Sequence, residues 1–348
     1  MRILVVGAGI AGLSTARMLA VDGQAVVLAE RAPALRTAGA GLLLHRRAVR
    51  ALGAAGFDVA GLGTPLDSMS ITTPAGAARG AVTGRTCFAR PELLEALHRG
   101  VREVAEVRLG QLVSFPASTS AHEQGARHVD CTVGGRQERF DAVVGADGIS
   151  SRTRAAVQPG VRVSSTGQVC WRGIVAMATG TRGTEMWSGS VRVGTVPLSR
   201  DRTYAYVVTT GRAPGDGDLV HLVGSDSLPP REQRATSLLL ALPTSTRSRL
   251  ELRELQHPVW GRGRIALVGD AAHAITPDLG LGAALAIDDA TSLTRALRDP
   301  DRAVGRYRRQ RHLTVRSTQL ASRQLGRLAH SPAPAARVLR AAVGARPR

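Results

Sequence analysis

A glycine cluster near the start of the chain has the spacing of a phosphate-binding turn. Gly7, Gly9 and Gly12 follow an apolar segment at Ile3–Val6 and precede a segment with helical spacing. In such a turn the first glycine permits the sharp bend, the second lets a pyrophosphate approach the backbone, and the third lets helix and strand pack closely. The free N–H groups at the helix start can then donate to the phosphates.

A carboxylate after the next apolar segment completes this pattern. Glu30 follows Gln24–Ala29, which we predict to be a strand. A carboxylate at this place can accept hydrogen bonds from the ribose of an adenosine. Strand, turn, helix and acid together predict a βαβ dinucleotide site rather than a glycine-rich packing turn. Its predicted residues are Gly7, Gly9, Ala11, Gly12, Glu30 and Arg31.

Two later segments also place glycine and aspartate at the ends of apolar strands. Asp141–Gly148 reads DAVVGADG, and Arg264–His273 reads RIALVGDAAH. The second segment is followed by Pro277 and by Gly280–Gly282. Parallel sheets bind ligands at the carboxyl ends of their strands. These two segments, and not the glycine turn alone, distinguish an FAD site from an NAD site.

Together the three segments resemble, in order, those of the flavoprotein aromatic hydroxylases, the family that includes salicylate and p-hydroxybenzoate hydroxylases. The resemblance runs from residue 3 to about residue 297. It implies FAD as cofactor, NAD(P)H as reductant and O2 as co-substrate. In such enzymes a C4a-hydroperoxyflavin hydroxylates or epoxidises an aromatic or polycyclic small molecule. The flavin carries this chemistry, while the protein orients the substrate and excludes water.

The resemblance also implies roles for individual residues. Asp270, with Gly269 before it, would bind the ribityl hydroxyls of the flavin. Asp147 and Gly148 would brace the pyrophosphate side, with a part in nicotinamide binding. Arg90 matches the arginine that these enzymes direct at the flavin phosphates and ribityl chain.

The segment after Pro277 would lie beside the isoalloxazine ring. The helix that begins there would direct its N–H groups and the positive end of its dipole at the flavin. Leu281 and Ala284 stand where the family usually has Gln and Asn, so we expect backbone groups to hold the ring. The ring-facing residues implied are Pro277, Gly280, Leu281, Gly282 and Ala283.

Two histidines are candidates for the same site. His45, followed by Arg46, occupies a turn where family members often have Pro-Asn, close to flavin or substrate. His273 falls in a segment whose histidine is usually structural, so we do not assign it as a catalytic base. The Trp171-Arg172 pair resembles a pair on a strand of the substrate domain, and packing in the core is the favoured interpretation of Trp171.

The net charge of +19 suggests nucleic acid as a partner, but the composition argues against it. The chain contains no lysine, so all 46 residues counted as basic are arginine, and it contains no asparagine either. This absence indicates a coding bias rather than a surface selected to bind phosphates. Aromatic residues make up only 3% of the chain, too few for the stacking on which single-strand binding depends. We expect no nucleic-acid partner and predict that the C-terminal arginines are solvated.

Cysteine content and hydropathy argue against several further classes of protein. Cys87, Cys131 and Cys170 form no CxxC pair, so we expect neither a disulfide framework nor a metal site. No run of about 18 apolar residues is present, so no membrane span is expected. Arg2 and Ile3–Leu13 have features of a signal peptide, but the glycines fit a strand–turn–helix better. We expect a cytoplasmic protein, as a monomer or homodimer.

The predicted fold is α/β, with an FAD-binding Rossmann-like domain, an inserted, mostly β substrate domain and C-terminal helices. The FAD-binding domain is predicted at 1–65, 85–162 and 260–300, the substrate domain at 66–84 and 163–259, and the helical section at 301–348. Among the elements, we expect short strands and turns at 61–84, one strand at Arg139–Gly145, a loop at 211–230, and helices at Pro91–Glu103, about Leu281–Leu297 and 302–340.

Two other functions remain open from the sequence. A related class uses the same FAD fold to reduce or cyclise polyprenyl-type substrates without inserting oxygen. A non-catalytic flavin-binding protein, or an arginine-rich module that binds acidic partners through residues 302–348, is the second alternative. Bound flavin separates the last from both enzymes, and oxygen incorporation separates the two enzymes.

Overall fold

The computed structural model describes residues 1–35, 40–73, 76–116, 126–188, 190–210, 219 and 228–330, and at 76–83 it describes the backbone alone. Its strands are β1 (Arg2–Val6), β2 (Ala25–Glu30), β3 (Gly41–His45), β4 (Gly63–Thr73), β5 (Gly76–Ala89), β6 (Glu106–Leu109), β7 (Val113–Ser114), β8 (Val129–Val133), β9 (Arg136–Phe140), β10 (Ala142–Gly145), β11 (Val163–Ala176), β12 (Arg182–Trp187), β13 (Val191–Pro197), β14 (Arg202–Thr210), β15 (Ser248–Leu255), β16 (Gly261–Arg262) and β17 (Ile265–Leu267). Its helices are α1 (Ile10–Val21), α2 (Arg46–Ala54), α3 (Arg90–Arg102), α4 (Arg152–Val157), α5 (Pro230–Ala241), α6 (Asp270–His273), α7 (Gly282–Ala296) and α8 (Ala303–His330), with a 3₁₀ turn at Pro277–Leu279.

A six-stranded sheet carries the three segments singled out above. Its order is β16-β17-β10-β1-β2-β6, and all neighbours are parallel except β16 and β17. The strands β1, β10 and β17 are adjacent, so their carboxyl ends meet at one edge. The predicted α/β fold is therefore confirmed, with the βαβ unit β1-α1-β2 at its start.

The two faces of this sheet are buried by different layers. Side chains alternate between faces along a strand, so Ile3 and Val5 join the core beneath the helices, which includes Leu97 of α3 and Ile287 of α7. Leu4 and its neighbours on the other face pack against a three-stranded antiparallel sheet, β7-β8-β9. Both faces of the sheet are thus shielded from solvent, as a parallel sheet requires.

The second large sheet has eight strands in the order β15-β11-β14-β13-β12-β4-β5-β3. Its pairings are antiparallel except for β12 and β4. Helix α5 packs on it through Ala235 and Leu239, against the buried Trp171. The packing interpretation of Trp171 agrees with this location.

Some elements differ from the prediction. The stretch 61–84 forms most of two long paired strands, β4 and β5, rather than short strands and turns. The strand predicted at Arg139–Gly145 is split at Asp141, whose carboxylate accepts the N–H of Arg2 at 2.7 Å, so β9 and β10 join different sheets. Strand β3 pairs with β5, which puts part of the predicted segment 1–65 in the eight-stranded sheet.

Other predictions can be compared only in part. The helices predicted at Pro91–Glu103 and about Leu281–Leu297 match α3 and α7 to within a residue or two at each end, and α8 accounts for much of 302–340. Most of the predicted loop at 211–230, and the chain after His330, lie outside the described residues. Within the described part of the chain, no helix has the length and apolar character needed to cross a bilayer.

Candidate active site

The glycine turn between β1 and α1 has the geometry that its spacing predicts. Gly7 has φ +105°, and a Cβ added to it would lie 2.6 Å from the carbonyl oxygen of Ala146. A Cβ at Gly12 would collide with the carbonyl of Gly7, whereas one at Gly9 would meet no atom within 4 Å. The turn therefore needs its first and third glycines for packing and leaves open space above the second, where a ligand can approach.

The carboxylate of Glu30 closes this turn from the next strand. It accepts hydrogen bonds from the N–H of Ala8 at 2.8 Å and of Ala32 at 2.9 Å. Glu30 and Arg31 line a cleft of about 210 Å³ that continues past the glycine turn to Asp147 and Arg90. The predicted adenosine residues thus border one cleft.

Asp147 shapes the neighbouring turn. Its carboxylate accepts from Ser151 Oγ at 2.5 Å, from the N–H of Arg152 at 2.8 Å and from the N–H of Thr153 at 3.0 Å, and so holds the start of α4. Gly148 has φ +78° and open space where a side chain would be. The acid thus orders the turn, and the glycine leaves room beside the cleft.

Arg154 is a structural residue that we did not predict. It donates to the carbonyl of Ala271 at 3.0 Å and to that of Ile149 at 2.5 Å, which ties the two strand-end segments together. Burial lowers the pKa of its guanidinium, against the opposing effect of Asp147. Its position in the Ser-Arg-Thr-Arg run after Gly148 is the sequence signal that could have identified it.

Asp270 lies in the floor of a second, larger cleft. Enclosure by the protein raises the pKa of its carboxyl, and the opposing charges of His273 and Arg90 reduce that rise, as do Arg172 and Arg154. The pKa of Arg90 is lowered, first by burial and then by Arg172. An acid and two arginines therefore converge on one part of the cleft.

The turn at Gly269 holds the floor of the cleft against α1. Gly269 has φ +58°, and a Cβ there would lie 2.9 Å from the Cβ of Ala11. This close approach explains why a small residue stands at position 11. His273, at the end of α6, is buried and lies 2.5 Å from Asp289 through Nε2, in keeping with a structural histidine.

The turn predicted beside the flavin ring borders the same cleft. Gly280 has φ +63° and approaches Leu43, and a Cβ at Gly282 would meet no atom within 4 Å. Pro277, Gly280, Gly282 and Ala283 line the cleft, and Leu281 directly precedes α7. Ala284, on the first turn of α7, is fully buried in the hydrophobic core on which this helix packs. An Asn at 284 would therefore enter an apolar core and would not reach the cleft.

His45 and Arg46 lie at the start of α2. The Nδ1 of His45 accepts the N–H of Ala48 at 3.0 Å, which caps the helix, and Nε2 lies 3.5 Å from Asp288 of α7. Arg46 is exposed on the first turn. The described contacts of His45 are thus with α2 and α7, and its location beside flavin or substrate stays a prediction.

The larger cleft has a volume of about 880 Å³ and runs from the turn at Gly280 and Gly282 to the eight-stranded sheet. Its sheet side combines an apolar wall with several charged and polar side chains. The apolar lining comprises Leu66, Met69, Ile71, Trp187, Val196, Val208, Leu250 and Leu252, and the polar lining includes Arg172, Glu185, Arg192, Tyr204, Tyr206 and Asp278.

A buried charge cluster closes part of this wall. Arg192 Nε lies 3.0 Å from Glu185, and Nη2 lies 2.6 Å from Asp278. Burial raises the pKa of Glu185 although Arg192 opposes the rise. The same two acids raise the pKa of Arg192 against the effect of burial. Sequence reasoning missed this cluster, because its members lie on separate elements and share no spacing pattern.

The two clefts form one groove, since both are bordered by Gly9, Arg90, Ala146 and Gly148. The groove runs from Glu30, past the glycine turn, to Asp270 and the start of α7. It offers a carboxylate at each of two places where a dinucleotide presents ribose or ribityl hydroxyls, and open backbone between them. The residues present therefore fit FAD.

Comparison with known proteins agrees with this geometry. The FAD binding domain family matches residues 1–317. The chain is 32% identical, over 318 residues, to 2-heptyl-3-hydroxy-4(1H)-quinolone synthase of Pseudomonas aeruginosa strain UCBPP-PA14, covering 85% of this chain and 80% of that protein. It is 30% identical to the aurachin C monooxygenase/isomerase of Stigmatella aurantiaca, with coverage of 85% and 80%.

A solved structure shows the same fold. Klebsiella pneumoniae HpxO, complexed with FAD and uric acid, superposes with a TM-score of 0.82 at 24% identity, covering 99% of this chain and 92% of that one. The resemblance inferred from the three strand-end segments is confirmed by the family match. The chain belongs to the FAD-binding family of flavoprotein aromatic hydroxylases, and it is an FAD-dependent monooxygenase.

Proposed function

We propose that this monooxygenase hydroxylates an aromatic or polycyclic small molecule that carries an apolar substituent, with NAD(P)H as reductant and O2 as co-substrate. The observation that carries the proposal is the apolar wall of the larger cleft, which faces the predicted flavin ring site across about 880 Å³. A cleft lined mainly by apolar side chains with a few polar groups is typical of a small-molecule site.

The relatives support a bicyclic heteroaromatic substrate. The name of the Pseudomonas aeruginosa relative describes a product with a quinolone ring, a heptyl chain and a hydroxyl group. An alkyl chain of that kind would pack against Met69 and Ile71 on β4, both of which line the cleft. We therefore rank alkylated 4-quinolone-type rings first among candidate substrates.

Arg172 and Tyr204 are the groups that we assign to orient the substrate ring. Among the described residues, the shielded Nε of Arg172 has no hydrogen-bond partner. Burial raises the pKa of the Tyr204 phenol, and Arg172 opposes this rise by its charge and by a hydrogen bond. The rings of Tyr204 and Tyr206 lie 5.3 Å apart, and both line the cleft. A ring carbonyl or phenolate could accept from Arg172 while its face packs on the tyrosines.

The residues that border the groove support a set of proposed FAD contacts. When bound, the flavin supplies the activation of O2. Glu30 would hold the adenosine ribose, Asp270 and Arg90 the ribityl and phosphate part, and the N–H groups of Gly280–Ala283 the ring. The positive dipole end of α7 would stabilise negative charge on the reduced ring. The apolar wall would exclude water once substrate fills the cleft.

The setting of the reaction is also part of the proposal. We place the enzyme in the cytoplasm, where NAD(P)H is available, as a monomer or homodimer. The nicotinamide would bind transiently, because the sequence contains one dinucleotide fingerprint, the glycine turn at Gly7–Gly12.

Product analysis under ¹⁸O2 tests the proposal. Purified protein with FAD, NADH or NADPH is incubated with 4-quinolones that carry or lack an alkyl chain, and with simple phenols, and products are read by mass spectrometry. We expect one labelled oxygen in the product, and faster turnover of the alkylated quinolone than of the unsubstituted ring. Product with added hydrogen but no label would overturn the monooxygenase assignment in favour of a reductase. Faster turnover of small phenols than of alkylated quinolones would overturn the proposal that the substrate carries an apolar substituent.

A further inference from the structure

A fully buried carboxylate lies behind the flavin-facing floor of the cleft. Asp289 on α7 has 0% exposure. Its Oδ2 accepts the N–H of Gly269 at 3.1 Å and lies 2.5 Å from Nε2 of His273. These two partners stand at opposite ends of the four-residue helix α6, of which Asp270 is the first residue. One oxygen therefore clamps both ends of the element that carries Asp270.

The other oxygen of Asp289 is held from the C-terminal helix. Arg311 of α8 donates from Nε to Oδ1 at 2.8 Å and from Nη2 to the carbonyl of Leu285 at 3.2 Å. Arg311 is only 5% exposed, although it belongs to an arginine-rich helix. It supplies the countercharge that a carboxylate buried in the core requires.

The backbone at Gly269 needs this support. Its φ of +58° and ψ of −140° form a conformation that side chains rarely adopt, and α1 and α7 crowd it from two sides through Ala11 and Ala286. The N–H groups of Ala272 and His273 both donate to the carbonyl of Gly269 at 2.9 Å. The direction of α6, and with it that of the Asp270 carboxylate, thus depends on how the Gly269 peptide is held.

We propose that Asp289 and Arg311 are positioning residues for FAD, which act through Gly269 and His273 to aim the Asp270 carboxylate into the groove. The inference rests on the FAD dependence that the family match shows, and it gives the arginine-rich α8 a part in the cofactor site. Neither side chain lines the cleft, so both act through the elements that they hold.

The test compares FAD affinity, flavin spectrum and apoprotein stability across matched variants. Asp289→Asn and Arg311→Met are expected to raise the Kd for FAD about ten-fold or more, the loss for a hydrogen bond to a charged group, and to shift the flavin absorbance bands and midpoint potential. Arg311→Lys, which keeps the charge, should recover part of the affinity. Arg309→Met, an exposed arginine on the same helix, is the control and should change none of these.

Two results would overturn the proposal. The first is a lower unfolding temperature of the apoprotein with unchanged FAD affinity, spectrum and potential, measured well below that temperature, since this would show a purely structural role. The second is additivity, because residues that act through one carboxylate should not add their effects in the Asp289→Asn/Arg311→Met double variant. If the Asp289 variant does not fold, His273→Gln and Arg311→Lys give the same readouts with smaller perturbation.

Discussion

Arg192 and Asp278 form an ion pair with 2.6 Å between Nη2 and Oδ1, and their side chains are only 2% and 1% exposed. Arg192 comes from β13 of the eight-stranded sheet, whereas Asp278 belongs to the 3₁₀ turn beside the predicted flavin ring. With Glu185 also beside the guanidinium, this pair links the sheet wall of the larger cleft to the turn predicted beside the flavin ring.

Removing the arginine should destabilise the protein in a pH-dependent way. Arg192→Met leaves Glu185 and Asp278 buried without a countercharge, which costs about 3–5 kcal/mol. Burial already raises the folded-state pKa of Glu185, and the variant lacks the arginine that opposes this rise, so stability is lost as pH rises through that folded value. We expect the difference from wild type, in urea unfolding, to be larger at pH 8 than at pH 5. A pH-independent difference would contradict this, and Glu185→Gln added to Arg192→Met should restore part of the stability.

Asp270 should affect folding and FAD binding in opposite directions. Its folded-state pKa is raised, chiefly by desolvation in the floor of the cleft, although the residue is exposed to the open cleft. The charged carboxylate therefore slightly opposes folding of the apoprotein above that pKa, and solvent in the cleft reduces the effect. Asp270→Asn is expected to raise the unfolding temperature of the apoprotein at neutral pH, with a smaller gain towards pH 4, and to weaken FAD binding about ten-fold. Calorimetry and fluorescence titration check the two parts, and a less stable apoprotein would show that the carboxylate supports the fold.

Glu30 should contribute to FAD affinity through its carboxylate. Glu30→Ala removes the acceptor for the N–H groups of Ala8 and Ala32 and the predicted ribose contact. We expect the Kd for FAD to rise about ten- to hundred-fold, and Glu30→Gln to give a smaller rise. Flavin fluorescence titration of the apoprotein measures both, with Glu95→Ala, at an exposed position of α3, as control. An unchanged Kd would remove Glu30 from the adenosine site.

The ring-holding turn predicts partial uncoupling. With Leu281 in place of the usual Gln, backbone groups would hold the ring, so NAD(P)H oxidation without substrate should release hydrogen peroxide until substrate fills the cleft. Leu281→Gln should lower the peroxide yield per NAD(P)H consumed, whereas the same change at the exposed Leu320 should not. Equal yields in all three proteins would reject this view. Ala284 is no target for the companion change to Asn, because it lies in the core.

The arginines beyond α8 should be dispensable. His330 hydrogen-bonds Thr210 at 2.8 Å, so a cut after His330 preserves that contact, whereas a cut after Arg327 would remove it. The shortened protein is expected to keep its FAD affinity and to show no change in binding to DNA. Salt-sensitive DNA binding by the full chain that disappears in the shortened one would instead identify 331–348 as a polyanion-binding segment.

What the sequence determined by itself was the family and the edge of the sheet where the site lies. Gly7, Gly12 and Asp270 could be interpreted locally, because turns with positive φ, close helix–strand approaches and strand-end acids depend on residues near one another in the chain. The same segments indicated that the three strands end at a ligand-binding edge of the sheet, whereas the order of β17, β10 and β1 came from the structure.

Only the tertiary structure decided which charged side chains are buried and with which groups they pair. In a chain with 46 arginines, nothing in the sequence separates Arg192 and Arg311 from their solvated neighbours, because burial depends on which strands and helices pack together. The same holds for β4 and β5, whose length is set by pairing with each other and with β12 and β3 rather than by local propensity. Asp289 became visible as a clamp on α6 only when α7 and α8 were packed behind it.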